Sequence, residues 1–166
     1  MASTKGASPT RASTPKQSGA AAPRRRSADS ALTQAFAALM REAVLPGDTP
    51  FSAEELDHAA AFMVDAAARR EAGEPVVQIA SATETRRMTR IALVNNDMPF
   101  LVDSVAAAIA AQGLAIDRLV HPVAGVVRSA DGTLQALADD AQAVRESLIY
   151  IEADRVDARQ RRELER

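Results

Sequence analysis

The 166-residue chain has no cysteine and no tryptophan, and its aromatic residues amount to 3%. Without thiols there can be no disulfide, no thiolate nucleophile and no cysteine-based metal site. With so few rings, Leu, Val, Ile, Met and many alanines must build the core. Lysine is scarce as well: Lys5 and Lys16 both lie near the N-terminus, leaving no catalytic amine further along. No apolar run approaches the roughly 20 residues needed to cross a bilayer. The N-terminus also lacks the apolar centre of a secretory signal. These absences predict a soluble, cytoplasmic protein with no membrane partner. No strand-like segment runs into a GxGxxG turn, so no dinucleotide site is expected. His58 and His121 stand apart from any cluster of ligand spacing, and neither a metal site nor a catalytic residue is predicted.

The net charge of −2 conceals two unlike parts. Residues 1–28 carry Lys5, Arg11, Lys16, Arg24, Arg25 and Arg26 and no acid, while the remainder holds 14 basic against 22 acidic residues. The first part is rich in Ser, Thr, Ala, Pro and Gly and has little to bury, which predicts a disordered basic tail over 1–28. Three roles fit it: an organelle transit peptide, an arm that contacts phosphates, or a solvated extension. The acidic body behind it would repel phosphate, and no nucleic-acid partner is expected.

Beyond the tail, residues 29–74 read as a helical hairpin. Leu32, Phe36, Leu39 and Ala43 give an apolar stripe over Ser30–Leu45, ended by Pro46-Gly47. Ser52 with Glu55 forms a capping box, and Phe51 against Leu56 is placed as a hydrophobic staple. That second stripe runs through Ala59, Ala60, Met63 and Ala67 towards Gly73 and Pro75.

Residues 75–166 alternate strand and helix signals. Val76–Ala80 is β-type, and Met88–Val94 is a continuous apolar strand entering a polar turn, Asn95-Asn96-Asp97, before a helix from Pro99 to Gln112. Leu101, Val105, Ala108 and Ile109 form its covering face, and Gly113 suits an αL cap. Ala115–Arg128 is a long strand whose His121-Pro122 requires a bulge or an edge position. Ala130-Asp131-Gly132 is a hairpin turn leading into Thr133–Leu137. Ser147–Asp154 is the next strand, and Asp157 with Gln160 caps a last charged helix. Asp97 reads first as a helix cap, Asp103 as a first-turn acid. Glu152 and Asp154, at i, i+2 on one strand face with Tyr150, read as a solvated edge.

The order from Met88 is the βαββαβ pattern of a ferredoxin-like sheet with its final strand absent. The fold class expected is therefore α+β: an incomplete ferredoxin-like βαββα sheet behind a helical hairpin. In that topology the last strand lies beside the first, so Ile91–Val94 would be an apolar edge unless Val76–Ala80 or a second copy pairs there.

The runs NNDMPFLVDSV, GLAIDRLVHPV, SADGTL and ESLIYIEADR together resemble the N-terminal region of the large bacterial NAD-dependent glutamate dehydrogenases, over about Val76 to Arg166. The resemblance implies an ACT-type regulatory module far upstream of a catalytic domain that oxidises L-glutamate to 2-oxoglutarate and ammonium while reducing NAD. It implies an N-terminal fragment, homo-oligomeric, that binds no cofactor itself and serves allosteric regulation in amino-acid catabolism. ACT modules commonly take amino-acid effectors at the loop between first strand and first helix, which here is Asn95, Asn96, Asp97 and Met98. Many such modules have Gly after the Pro, where this chain has Phe100. A free-standing ACT-like amino-acid-binding protein is the other reading.

Overall fold

In the computed structural model, which describes residues 23–83, 87–141 and 143–164, the chain begins as a helix earlier than its apolar stripe suggests. Helix α1 spans Pro23–Glu42. The expected tail boundary at residue 28 therefore moves back: Pro23 fits the first helical position, and the Arg and Ala residues after it are good helix formers. Residues 1–22, the rest of the predicted tail, lie outside the described residues.

Helix α2 (Ala53–Ala67) starts as the sequence predicts. Ser52 accepts a hydrogen bond from the Glu55 N–H, and the Glu55 carboxylate accepts one from the Ser52 N–H at 2.8 Å. The helix stops at Ala67, well before Gly73. From there the chain joins a neighbouring hairpin: Leu134 N–H donates to Ala68 O, and Arg70 N–H donates to Gly132 O. The stop comes from tertiary pairing and not from a local breaker.

Strands β1 (Val76–Ala82), β2 (Met88–Asn96), β3 (Ile116–Val120), β4 (Val123–Arg128), β5 (Leu134–Leu137) and β6 (Val144–Ala153) form one antiparallel sheet. Its order is β1-β2-β6-β4-β5, with β3 also on β6. β2 occupies one edge of β6 along its length, while β3 and β4 share the other. They are one strand interrupted at His121-Pro122, as expected of a proline that cannot donate. Pro122 O still accepts the Leu148 N–H at 2.9 Å, so the ladder survives the break. β1 lies beside β2, Val76 opposite Val94, in the slot that a ferredoxin-like sheet gives to its last strand. The apolar edge foreseen at Ile91–Val94 is thereby covered from within the chain.

Helix α3 (Leu101–Ala111) and the short α4 (Ala158–Leu164) follow β2 and β6. Gly113, at φ 73°, ends α3 in the left-handed conformation, and Leu114 is buried in the core that follows. Asp157 accepts from the N–H groups of Arg159 and Gln160, starting α4 as predicted.

Strand alternation sorts the side chains into two cores. Ala92, Val94, Leu148, Tyr150 and Val126 pack against Phe36, Met40, Leu56, Ala60 and Met63 of the helical hairpin. Ile91, Leu93, Ile149, Ile151 and Ala153 meet Ile109, Leu114 and Val156 on the opposite face. Burial on both faces explains the unbroken apolar run at β2, whose residues 88–94 are all buried. Tyr150 is fully buried, its ring 6.0 Å from Phe51 and edge-on to Phe62 at 6.4 Å.

Candidate functional site

The same alternation that builds the hairpin-side core continues past its apolar rows. Along β2 the sequence of that face is Arg90, Ala92, Val94, Asn96, and along β6 it is Glu146, Leu148, Tyr150, Glu152. Polar residues thus sit at both ends of one face, with apolar rows between them.

At one end Tyr150 donates to Glu152 Oε1 at 2.9 Å and accepts from Arg90 Nε at 3.1 Å. Arg118 donates to the same Glu152 oxygen at 3.2 Å, with its guanidinium carbon 4.1 Å above the Phe51 ring. Burial, and then the Glu152 charge, push the Tyr150 phenol up. Glu152 is 1% exposed on a central strand, which corrects its reading as part of a solvated edge. Only Asp154, beyond the end of β6, is exposed, and it accepts the Ala115 N–H. The charge of Glu152 is tolerated because a buried carboxylate is stable when paired and hydrogen-bonded.

At the other end Glu146, also 1% exposed, sits between two arginines. Arg128 donates from Nε to Oε1 at 2.9 Å and from NH2 to Oε2 at 2.8 Å. Arg70 donates to Oε1 from Nε at 3.1 Å and from NH2 at 2.7 Å. Arg70 also reaches Glu74 O at 2.8 Å and Asn96 Oδ1 at 2.6 Å. Arg128 NH1 holds the Ala67 and Gly132 carbonyls. Burial opposes the charge on Glu146, but the hydrogen bonds from Arg128 and Arg70 outweigh it and hold its carboxyl below the usual range. These groups line a cleft of about 520 Å³ between the end of α2 and the β4–β5 turn, with Val126 and Val144 as apolar wall.

The four predicted effector residues follow one another at the end of β2, where their side chains meet different partners. Asn96 alone lines this cleft. Asn95 points to the other face, where its amide accepts the Asn96 N–H and donates to Met98 Sδ at 3.6 Å. Asp97 accepts the Ser147 hydroxyl at 2.9 Å, and its N–H donates to Arg145 O. It does not cap α3, whose N-cap is Phe100 without a side-chain hydrogen bond. That corrects the cap reading: Ser147 on the neighbouring strand claims the carboxylate instead. Met98 is 51% exposed and Phe100 is 78% exposed. Phe100 has φ 64°, the left-handed region in which Gly is at ease and a side chain is not. Its ring points to solvent and fills no pocket. His121, at the β3–β4 break, has its pKa lowered from 6.5 by burial, against the pull of the Asp97 charge.

Glu146, Arg128 and Arg70 are absent from the sequence-level reading. Glu146 was legible in principle, since it shares the period-2 face of Leu148 and Tyr150. Nothing local connects it to Arg70, 76 residues away. Among the described residues no group of three His, Asp or Glu could hold a metal ion, and no helix is long and apolar enough to cross a membrane.

Compared with known proteins, residues 36–166 match the family described as "Glutamate dehydrogenase, ACT1 domain". The NAD-specific glutamate dehydrogenase of Halomonas elongata is 42% identical over 71 residues, which is 40% of this chain and 4% of that relative. The match thus spans a small part of the relative's length. No solved structure matches the chain. With the match covering all six strands and both sheet helices, the chain belongs to the glutamate dehydrogenase ACT1 domain family.

Proposed function

We propose that the chain is the N-terminal regulatory and oligomerisation segment of a cytoplasmic NAD-dependent glutamate dehydrogenase, with catalysis carried by the rest of that enzyme. The whole enzyme would convert L-glutamate and NAD to 2-oxoglutarate, ammonium and NADH. The observation that carries this reading is the family match across 36–166, supported by the likeness to an NAD-specific glutamate dehydrogenase. In the enzyme the segment would contribute two things. The loop of Asn95, Asn96, Asp97 and Met98 would receive an amino-acid effector at the sheet rim, with exposed Met98 and Phe100 offering apolar contact. The edge strand β1 would pair with a second copy, since an outer strand presents a row of backbone donors and acceptors.

The test is the full-length enzyme with and without residues 1–166. The expected result is glutamate-dependent NADH formation in both forms, with a smaller assembly by light scattering and no rate response to added amino acids in the truncated form. An unchanged assembly together with an unchanged amino-acid response would overturn the assignment.

A further inference from the structure

We propose that the cleft bounded by Arg70, Arg128, Asn96 and Val144 is a binding site for a small carboxylate anion. It lies on the hairpin face of the sheet, opposite α3, and shares only Asn96 with the loop considered above. The inference stands on this cleft alone and does not depend on the role proposed for the chain.

The first argument is charge. Glu146 is shared by two guanidinium groups, and one carboxylate cannot neutralise both. Arg70 is only 4% exposed, so the surplus positive charge is held where water screens it poorly. The other acids at the cleft do not remove it. Asp131 is turned into its own hairpin, accepting from the Ser129 hydroxyl and from both Thr133 donors. Glu71 is exposed at the mouth.

The second argument is hydrogen-bond accounting. An arginine has five N–H donors. Arg70 uses four of them: Nε and NH2 on Glu146, NH1 on Glu74 O, and NH2 on Asn96. Arg128 also uses four: Nε and NH2 on Glu146, and two from NH1 to the Ala67 and Gly132 carbonyls. Each therefore keeps one N–H with no acceptor among the described residues, and both residues border the same cleft. Two guanidinium groups bordering one cleft, each with a donor to spare, suit the two oxygens of a carboxylate. Val126 and Val144 supply the apolar wall on which a short carbon chain would rest. The arginines are also pre-positioned. Their other bonds fix both forks, so binding costs little ordering of the site.

The experiment titrates the 166-residue chain with succinate, followed by calorimetry and by NMR of the Arg Nε–H and Asn96 amide signals. Inorganic phosphate and ethylammonium chloride are the comparison ligands. Saturable succinate binding below about 10 mM, tighter than phosphate and with shifts at Arg70, Arg128 and Asn96, is expected. Val144→Glu places a like charge in the wall at a half-exposed position, so the fold should persist by circular dichroism while succinate affinity falls at least about tenfold. Leu45→Glu adds the same charge at another exposed site outside the cleft and should leave the affinity unchanged. No saturation by succinate, or equal binding of phosphate, would overturn the proposal, as would equal losses in Val144→Glu and Leu45→Glu.

Discussion

Arg128 on β4 grips Glu146 on β6 through two parallel hydrogen bonds, Nε to Oε1 and NH2 to Oε2, at 2.9 and 2.8 Å. Arg70 adds a second guanidinium from just beyond the end of α2. Replacing the carboxylate by its neutral isostere, Glu146→Gln, keeps the volume but leaves two arginines without their counter-charge. A loss of about 3–5 kcal/mol is expected, as for other buried pairs broken on one side. Urea denaturation would read it as a lower midpoint at unchanged slope. A loss under about 1 kcal/mol, the range of solvated surface pairs, would contradict the buried reading.

The same carboxylate sets an acid limb. Its pKa in the fold lies below the ordinary 4.5, so the unfolded chain binds the proton more readily. The stabilisation is fully present above that ordinary value and declines as pH falls through the folded one. Asp131, lowered to about 2 by the Ser129 and Thr133 hydrogen bonds, acts in the same direction. Stability measured from pH 6 downward should therefore fall for the unaltered chain, with a shallower fall in Glu146→Gln. Parallel curves would rule Glu146 out as a contributor.

Phe100 carries backbone strain without burial in return. A left-handed residue with a Cβ costs roughly 1–2 kcal/mol, against about 0.5–1 for the extra freedom of an unfolded glycine. Phe100→Gly should then be stabilising by about 0.5–1 kcal/mol, and Phe100→Val should destabilise because a β-branched side chain resists this region further. Paired thermal melts would show the two shifts with opposite sign.

Gly132 answers two demands at once. Its φ is 82°, and an added Cβ would collide with the Arg70 carbonyl. Gly132→Ala should destabilise by more than about 1 kcal/mol and loosen the bridge between Arg69 and Thr133. Amide exchange at Arg70 and Leu134, whose N–H groups donate across this junction, is the direct measurement.

Ser52 and Glu55 exchange hydrogen bonds at the start of α2. Ser52→Ala removes the acceptor for one orphan N–H and should cost about 1 kcal/mol in chemical denaturation. Thr at the same position should restore most of it.

The elements legible in the sequence are those whose signals are local. The β2–α3 unit follows from an unbroken aliphatic run meeting helical spacing, the β4–β5 turn from Asp131-Gly132, the strand break from His121-Pro122, and the α2 start from Ser52 with Glu55. What was not legible depends on partners distant in the chain. Arg69 and Arg70 are good helix formers, and only the β4–β5 hairpin draws them out of α2. Glu152 reads as a surface acid because Arg118 lies 34 residues away, and Glu146 draws no notice because Arg128 and Arg70 lie 18 and 76 residues away. Within the candidate loop, Asn96 differs from Asn95 and Asp97 only by the parity of its position, which decides the face it serves.

The place of β1 makes this sheet a circular permutation of the ferredoxin pattern: the strand that ordinarily closes the motif here precedes it. The helix after β6 consequently has no vacant slot beside β2 to feed, so α4 is under no topological obligation to return to the layer it leaves. A short connection between β1 and β2 replaces a crossover over the sheet, and the pairing it closes is the cheapest in loop entropy that β2 makes.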